Sequence, residues 1–359
     1  MITFFRAAAL SVLALVTLTG AGQNSRPDES KKPLVLSSQG SFFVGGETKT
    51  TNTQATAPGG PAQNDVTVNQ MYVQYQSPLT GSQHVPVVMV HGCRLSSKTW
   101  ETTPDGRMGW NEYFVRRNRS VYLADQVARA RSGFDASVIN AVKAGQAPPS
   151  QLPNVLVAGH QAAWSSFRFG PTYNTPFPDG QFPVQAVDEL YKQMIPDLNS
   201  TLPMPNPTWK NMAALAVQLH GAVLMGHSES GFFPEEAALI DASGVRGIIS
   251  IEMACTTTMT PQQLAAMAKI PILIMFGDHL GDVQGRFGSV WPENFATCQK
   301  FVQQVNSAGG DAQMMDLPKL GIKGNSHMLM QDKNNLQLAD LILEWIDQHV
   351  EAKKSARRH

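Results

Sequence analysis

The chain has 359 residues, 42% of them hydrophobic, enough to bury a large core as one α/β domain or a domain plus a lid, which argues against a helical or small disulfide scaffold. Lys plus Arg and Asp plus Glu both number 28, so no bulk charge recommends nucleic acid or an anionic membrane as partner. Three cysteines, Cys93, Cys255 and Cys298, allow one bridge and one leftover thiol.

Residues 1–22 carry Arg6, an apolar run over 7–18 and the small residues Thr19, Gly20, Ala21 and Gly22, the pattern of a secretory signal peptide cut after Ala21. A membrane anchor needs about 20 apolar residues, which this run does not reach. The expected location is therefore secreted or periplasmic, an oxidising compartment, with no stable membrane anchor. Residues 23–33 read as a flexible mature N-terminus. Residues 34–44 and 66–76 alternate and are β-rich, and the Thr/Gly/Pro-rich stretch 50–64 between them reads as a loop, so two antiparallel strands open the domain. Residues 85–90 form a near-continuous apolar strand ending in His91-Gly92-Cys93, as in strands buried on both faces of a parallel sheet. A helix is expected to start at Thr103-Pro104-Asp105 and run to Arg117, followed by a short strand over 120–124.

Residues 164–209 break the rhythm of strand and helix. They are Pro-rich, yet they hold Phe167, Phe169, Tyr173, Phe177, Phe182, Tyr191 and Met194, the composition expected of a lid over an apolar pocket, here about residues 164–210. Strands are then expected over 219–225, 247–251, 270–276 and 312–317, with a closing amphipathic helix over 334–350 and a short basic tail over 351–359. This order implies a mostly parallel central sheet with helices on both faces, all within residues 34–350.

At the end of the strand over 219–225 stands Gly226-His227-Ser228-Glu229-Ser230-Gly231. Small residues two positions either side of a serine let a strand and the following helix approach closely, and the strained turn lifts the hydroxyl clear of the sheet, as in a nucleophile elbow. A serine nucleophile needs a base, and an acid to orient that base. Of the downstream histidines, His349 and His359 lie in the last helix and at the last residue, and His279 sits at a strand end; His327, in a loop between the last strand and the last helix, is the expected base. For the acid, Glu252 and Asp278 both end parallel strands on the elbow side, and position alone favours the later one, Asp278, with Asp282 a third choice. The oxyanion hole is expected from the backbone N–H of Glu229 and one from the loop at Cys93.

These motifs resemble the α/β-hydrolase superfamily, and more narrowly the secreted bacterial carboxylesterases typified by esterase 713. The resemblance rests on HGCRLSSKTWETTPDGRMGWNEYF from His91, GHSESG from Gly226, IISIEMAC from Ile248, FGDH from Phe276 and GNSHMLMQDKNNLQLADLILEWI from Gly324. It implies that the acid is Glu252, against the positional preference, and that Cys255 pairs with Cys298. Two departures follow from it: in that group the position of Arg94 is a second cysteine bonded to its neighbour, and the position of Glu229 is a glutamine. An acidic side chain at Glu229 would oppose the oxyanion unless neutralised, either by pairing with Arg94 or by pointing into solvent.

The expected activity is that of a secreted serine carboxylesterase acting on small-molecule esters through an acyl-enzyme, with Ser228, His327 and Glu252 as catalytic residues and no metal or organic cofactor. A lactonase, thioesterase or C–C hydrolase would use the same triad, and a non-catalytic binding protein on this fold is the rival from another class. The sequence leaves the oligomeric state open, a homodimer included.

Overall fold

The computed structural model describes residues 32–51, 64–80 and 83–352. The expected signal peptide, most of the expected loop over 50–64 and most of the basic tail lie outside them. The strands are β1 (Leu36–Thr51), β2 (Asn64–Pro78), β3 (Val87–Val90), β4 (Val121–Ala124), β5 (Ala222–His227), β6 (Val245–Ile251), β7 (Ile272–Phe276) and β8 (Ala312–Asp316). They form one sheet in the order β1-β2-β4-β3-β5-β6-β7-β8. β1 and β2 pair antiparallel, as does β2 with β4, and every other ladder is parallel. The helices are α1 (Trp110–Arg116), α2 (Ser137–Lys143), α3 (His160–Ser166), α4 (Val187–Gln193), α5 (Pro207–Gln218), α6 (Phe233–Ile240), α7 (Pro261–Met267), α8 (Phe287–Ser307) and α9 (Asn335–Ile346).

The period of two along each central strand sorts the core into two layers. Val87, Met89, Val223, Met225, Ile249, Ile251, Leu273 and Met275 face one side, where Trp110, Phe114, Ile342 and Ile346 of α1 and α9 cover them. Val88, Val90, Leu224, Ile248, Ile272 and Ile274 face the other, under Leu215 of α5, Ala237 of α6 and Phe301 of α8. Residues buried on both faces read as continuous apolar runs, which is why β3, β5 and β7 were visible in the sequence.

Several boundaries differ from expectation. The helix over 103–117 begins only at Trp110: Thr103 instead closes a turn, its hydroxyl accepting from the Arg107 amide (2.9 Å) and bonding Asp105 (2.7 Å). That side-chain turn satisfies the backbone locally and outcompetes a first helical turn. The excursion from the sheet also starts earlier than residue 164, since no strand is formed between Ala124 and Ala222 among the described residues. At its far end, Trp209 is not in irregular chain. It lies in α5, where Pro207 opens the helix and Asn206 caps it, and packs on Phe232 and Phe233 in the core. The last helix ends at Ile346 and widens into a π turn over Asp347–Glu351. Cys255 and Cys298 are joined and Cys93 is free, as the resemblance implied.

Candidate active site

Parallel pairing aligns the ends that matter. Val90 pairs with Gly226, Gly226 with Ser250, and Ile251 with Met275, so the residues after β3, β5, β6 and β7 emerge side by side. β3 lies between β4 and β5, so the chain order reverses here, and ligands on open parallel sheets collect at such a switch point.

The turn after β5 is tight. A Cβ on Gly226 would stand 1.9 Å from the Ser230 carbonyl oxygen, and one on Gly231 would stand 2.3 Å from Met253 Cβ. Ser228 itself has φ 56°, a left-handed conformation that non-glycine residues adopt only where the surroundings impose it. Ser230 does more than stay small: its buried hydroxyl donates to Val90 O (2.9 Å) and accepts from the His227 amide (3.0 Å), tying the elbow to β3. The Glu229 amide lies in the first turn of a 3-10 helix over Ser228–Phe232, where N–H groups lack partners within the helix. Opposite it, a Cβ on Gly92 would approach Ser228 Cβ to 2.9 Å, so the loop carrying Cys93 lies directly against the serine.

Ser228 Oγ lies 2.8 Å from His327 Nε2, and His327 Nδ1 lies 3.2 Å from Glu252 Oε2. Glu252 is fully buried with φ 55° and receives a two-pronged pair from Arg168, Nη1 to Oε2 at 2.8 Å and Nη2 to Oε1 at 2.6 Å, plus the Gly277 amide. Burial alone would raise this carboxyl, but Arg168 and the bond from His327 outweigh it and hold Glu252 at about 2. Burial pushes the His327 imidazole below its ordinary value against the pull of Glu252, so the ring is neutral and able to accept a proton at neutral pH. Phe167 stacks on His327 (5.6 Å), Trp291 packs at 4.4 Å, and the His327 amide donates to Phe167 O (2.9 Å). His227 Nε2 bonds His327 O (2.9 Å), and burial keeps this second ring neutral.

Asp278 points elsewhere. Its Oδ1 accepts from the His279 amide (2.8 Å) and its Oδ2 from the Gly324 amide (2.9 Å), so it braces the loop that carries His327 instead of touching the ring. Asp282 lies against His279 Nδ1 (2.8 Å). Glu229 does not meet Arg94: its Oε2 faces Arg129 Nη2 (3.2 Å) and Gln126 Nε2 (3.4 Å), and its Oε1 faces Asn199 Nδ2 (3.3 Å). The Arg94 amide instead donates to Asp197 Oδ2 (3.0 Å). Asp332, pushed up to about 6 by burial, binds Ser326 and Asn325 and fixes the other side of the His327 loop.

Sequence reasoning overlooked Arg168, Arg129, Asp197 and Asp332. Arg168 had a signal: it is the sole Lys or Arg between Trp164 and Tyr191, a lone cation among aromatics. Asp332 lies only five residues after His327, within the stretch that carries the resemblance, whereas Arg129 and Asp197 are distant in sequence from anything that marks them. A separate cavity of about 760 Å³ lies between the β1–β2 hairpin and the excursion, lined by Lys49, Val68, Phe134, Ile139 and Leu198 among others. Ser228, His327 and Glu252 are not among its lining residues, so it is not where an ester would react.

No protein-family model matches the chain. A bacterial esterase of known structure is 49% identical, with a TM-score of 0.84 over 89% of this chain and 98% of its own. The chain belongs to the esterases of the α/β-hydrolase fold. A curated protein from Fungal sp. (strain ATCC 74256), described as the probable secreted lipase phiG, is 23% identical over 330 residues, 77% of this chain and 85% of its own length. Among the described residues no helix is long and apolar enough to cross a membrane.

Proposed function

We propose that this esterase is a secreted serine carboxylesterase working through an acyl-enzyme, with Ser228 as nucleophile, His327 as base and Glu252 as the acid that orients it. The observation that carries the reading is the unbroken line of contacts from Ser228 Oγ to His327 Nε2 (2.8 Å) and from His327 Nδ1 to Glu252 Oε2 (3.2 Å). In the first half-reaction Ser228 Oγ bonds the ester carbonyl carbon as its proton passes to His327 Nε2. Collapse then breaks the bond to the alcohol oxygen, which leaves with that proton. In the second half-reaction water gives a proton to His327 and attacks the acyl carbon, and Ser228 leaves with the proton returned. Glu252, ionised throughout, stabilises the imidazolium of each step, and the amides of Glu229 and Cys93 serve the oxyanion.

Secretion is supported by the signal-peptide pattern over residues 1–22 and by the relative described as secreted. The partner is a small-molecule ester. A fluorophosphonate probe should label the protein once, at Ser228, and 4-nitrophenyl esters of graded chain length should be hydrolysed with a burst of alcohol release. Absence of labelling in folded protein, or labelling at another residue, would overturn the reading.

A further inference from the structure

Arg129 is fully buried, yet no step above uses it. Its Nη2 faces Asp197 Oδ1 (2.5 Å) and Glu229 Oε2 (3.2 Å), and its Nη1 donates to Gly92 O and Leu95 O (3.4 Å each). The residues on either side, Ala128 (φ 59°) and Ala130 (φ 44°), are both left-handed, a conformation that alanine adopts only under constraint. Two strained residues bracketing one buried guanidinium indicate a side chain aimed at a target. The target is both walls of the oxyanion hole. Asp197, also fully buried, accepts from Cys93 Sγ (3.1 Å) and from the Arg94 amide (3.0 Å) on one wall, while Glu229 forms the other. The thiol, Asp197 and Glu229 lie as close as the ligands of a metal ion, but the cation among them is the chain's own guanidinium.

We propose that Arg129, with Asp197, is the positioning residue of the oxyanion hole: it clamps the Cys93 loop to the elbow and cancels the Glu229 charge that would otherwise oppose the oxyanion. This rests on Ser228 being the nucleophile. The carboxylate of Glu229 is attached to the residue whose amide serves the oxyanion, so an unopposed charge there raises the barrier selectively in the transition state. Burial and the neighbouring Asp197 push the Glu229 carboxyl up, while Arg129 pulls it down; the one cation is divided between two carboxylates. Arg, with its planar fork, can reach both acids and both carbonyls at once, which a Lys ammonium cannot.

The test measures kcat per serine titrated by the fluorophosphonate probe, KM for a neutral 4-nitrophenyl ester, and the affinity of an alkyl boronic acid that mimics the tetrahedral species. Arg129→Met should lower kcat by about 10- to 100-fold, part of the ~10²–10³ that loss of one oxyanion donor costs. KM should change less than about threefold, and boronate affinity should fall by the same factor as kcat/KM. Adding Glu229→Gln to Arg129→Met should restore about tenfold in kcat, because the uncancelled charge is gone. A merely structural Arg129 would lower yield and thermal stability with normal kcat per labelled serine, and that result overturns the proposal. A loss of kcat with unchanged boronate affinity, or no recovery in the double variant, overturns it too. If Arg129→Met does not fold, Arg129→Lys keeps the charge without the fork, and unchanged kcat and boronate affinity there are equally fatal. Parent enzyme that is folded but not labelled at Ser228 would instead defeat the serine-hydrolase reading.

Discussion

Two buried arginines flank the line of contacts from Ser228 through His327 to Glu252, and they differ in how their charge is spent. Arg168 gives both prongs to one carboxylate, and Glu252 is held at about 2, permanently ionised beside His327. Arg129 is divided between Asp197, Glu229 and two carbonyls, and the Glu229 carboxyl is raised by burial and by Asp197 in spite of it. The same residue type thus serves opposite needs. In the proposed mechanism a full negative charge must persist at Glu252 to stabilise an imidazolium, whereas beside the Glu229 amide negative charge must be kept small where a new anion would form.

The largest expected effect comes from breaking the line between the two arginines. Ser228→Ala and His327→Ala should each lower kcat by a factor on the order of 10³ to 10⁶, since such residues act as a unit. Steady-state rates within tenfold of the parent in either variant would sink the mechanism. Next, Arg168→Met should lower kcat by about 100-fold or more and cost about 3–5 kcal/mol in stability, because it strands a buried carboxylate. Urea unfolding and kcat measured together check this, and a stable, fully active variant would show that Glu252 does not need its partner. Glu252→Gln should lose far more kcat than Asp278→Asn, for which a loss of less than about tenfold is expected, since its oxygens accept from the backbone amides of His279 and Gly324. The reverse ranking would make Asp278 the acid.

The smallest effects are in pH. His327 must be neutral to accept the serine proton, and burial lowers it, so kcat/KM should rise with pH to a plateau with its midpoint below about 6.5. A midpoint well above 7 would contradict this. Because the folded-state value of Glu252 is depressed, its contribution to stability is present above the unfolded value of 4.5 and is lost as pH falls toward about 2. Glu252→Gln should flatten the acid limb of the stability profile over that window.

What the sequence made legible follows from local rules. Continuous apolar runs marked β3, β5 and β7, and the spacing of Gly226, Ser228 and Ser230 marked the elbow, because each constraint acts between near neighbours. The position of His327 in the loop between β8 and α9 was legible too, since it needed only the order of elements. The choice between Glu252 and Asp278 was not legible from position, since both end adjacent strands in register; what separates them is which side chain Arg168 reaches across 84 residues of sequence. Neither alternative for Glu229, a pair with Arg94 or exposure to solvent, matches its surroundings, for the same reason. Arg94 is near in the loop, but its amide is drawn to Asp197, and the cation that reaches Glu229 comes from beyond β4.

The excursion between β4 and β5 supplies the Phe167 ring against His327, the Phe167 carbonyl that receives its amide, and the Arg168 counter-charge of Glu252. A segment with those attachments is not a detachable cap. Anyone who recombines this enzyme with a relative to change its ester preference must therefore keep residues 167–168 with the parent scaffold and move the crossovers outward. A chimera that exchanges the whole stretch would lose the Arg168 pair to Glu252 and the Phe167 contacts to His327 in the same cut.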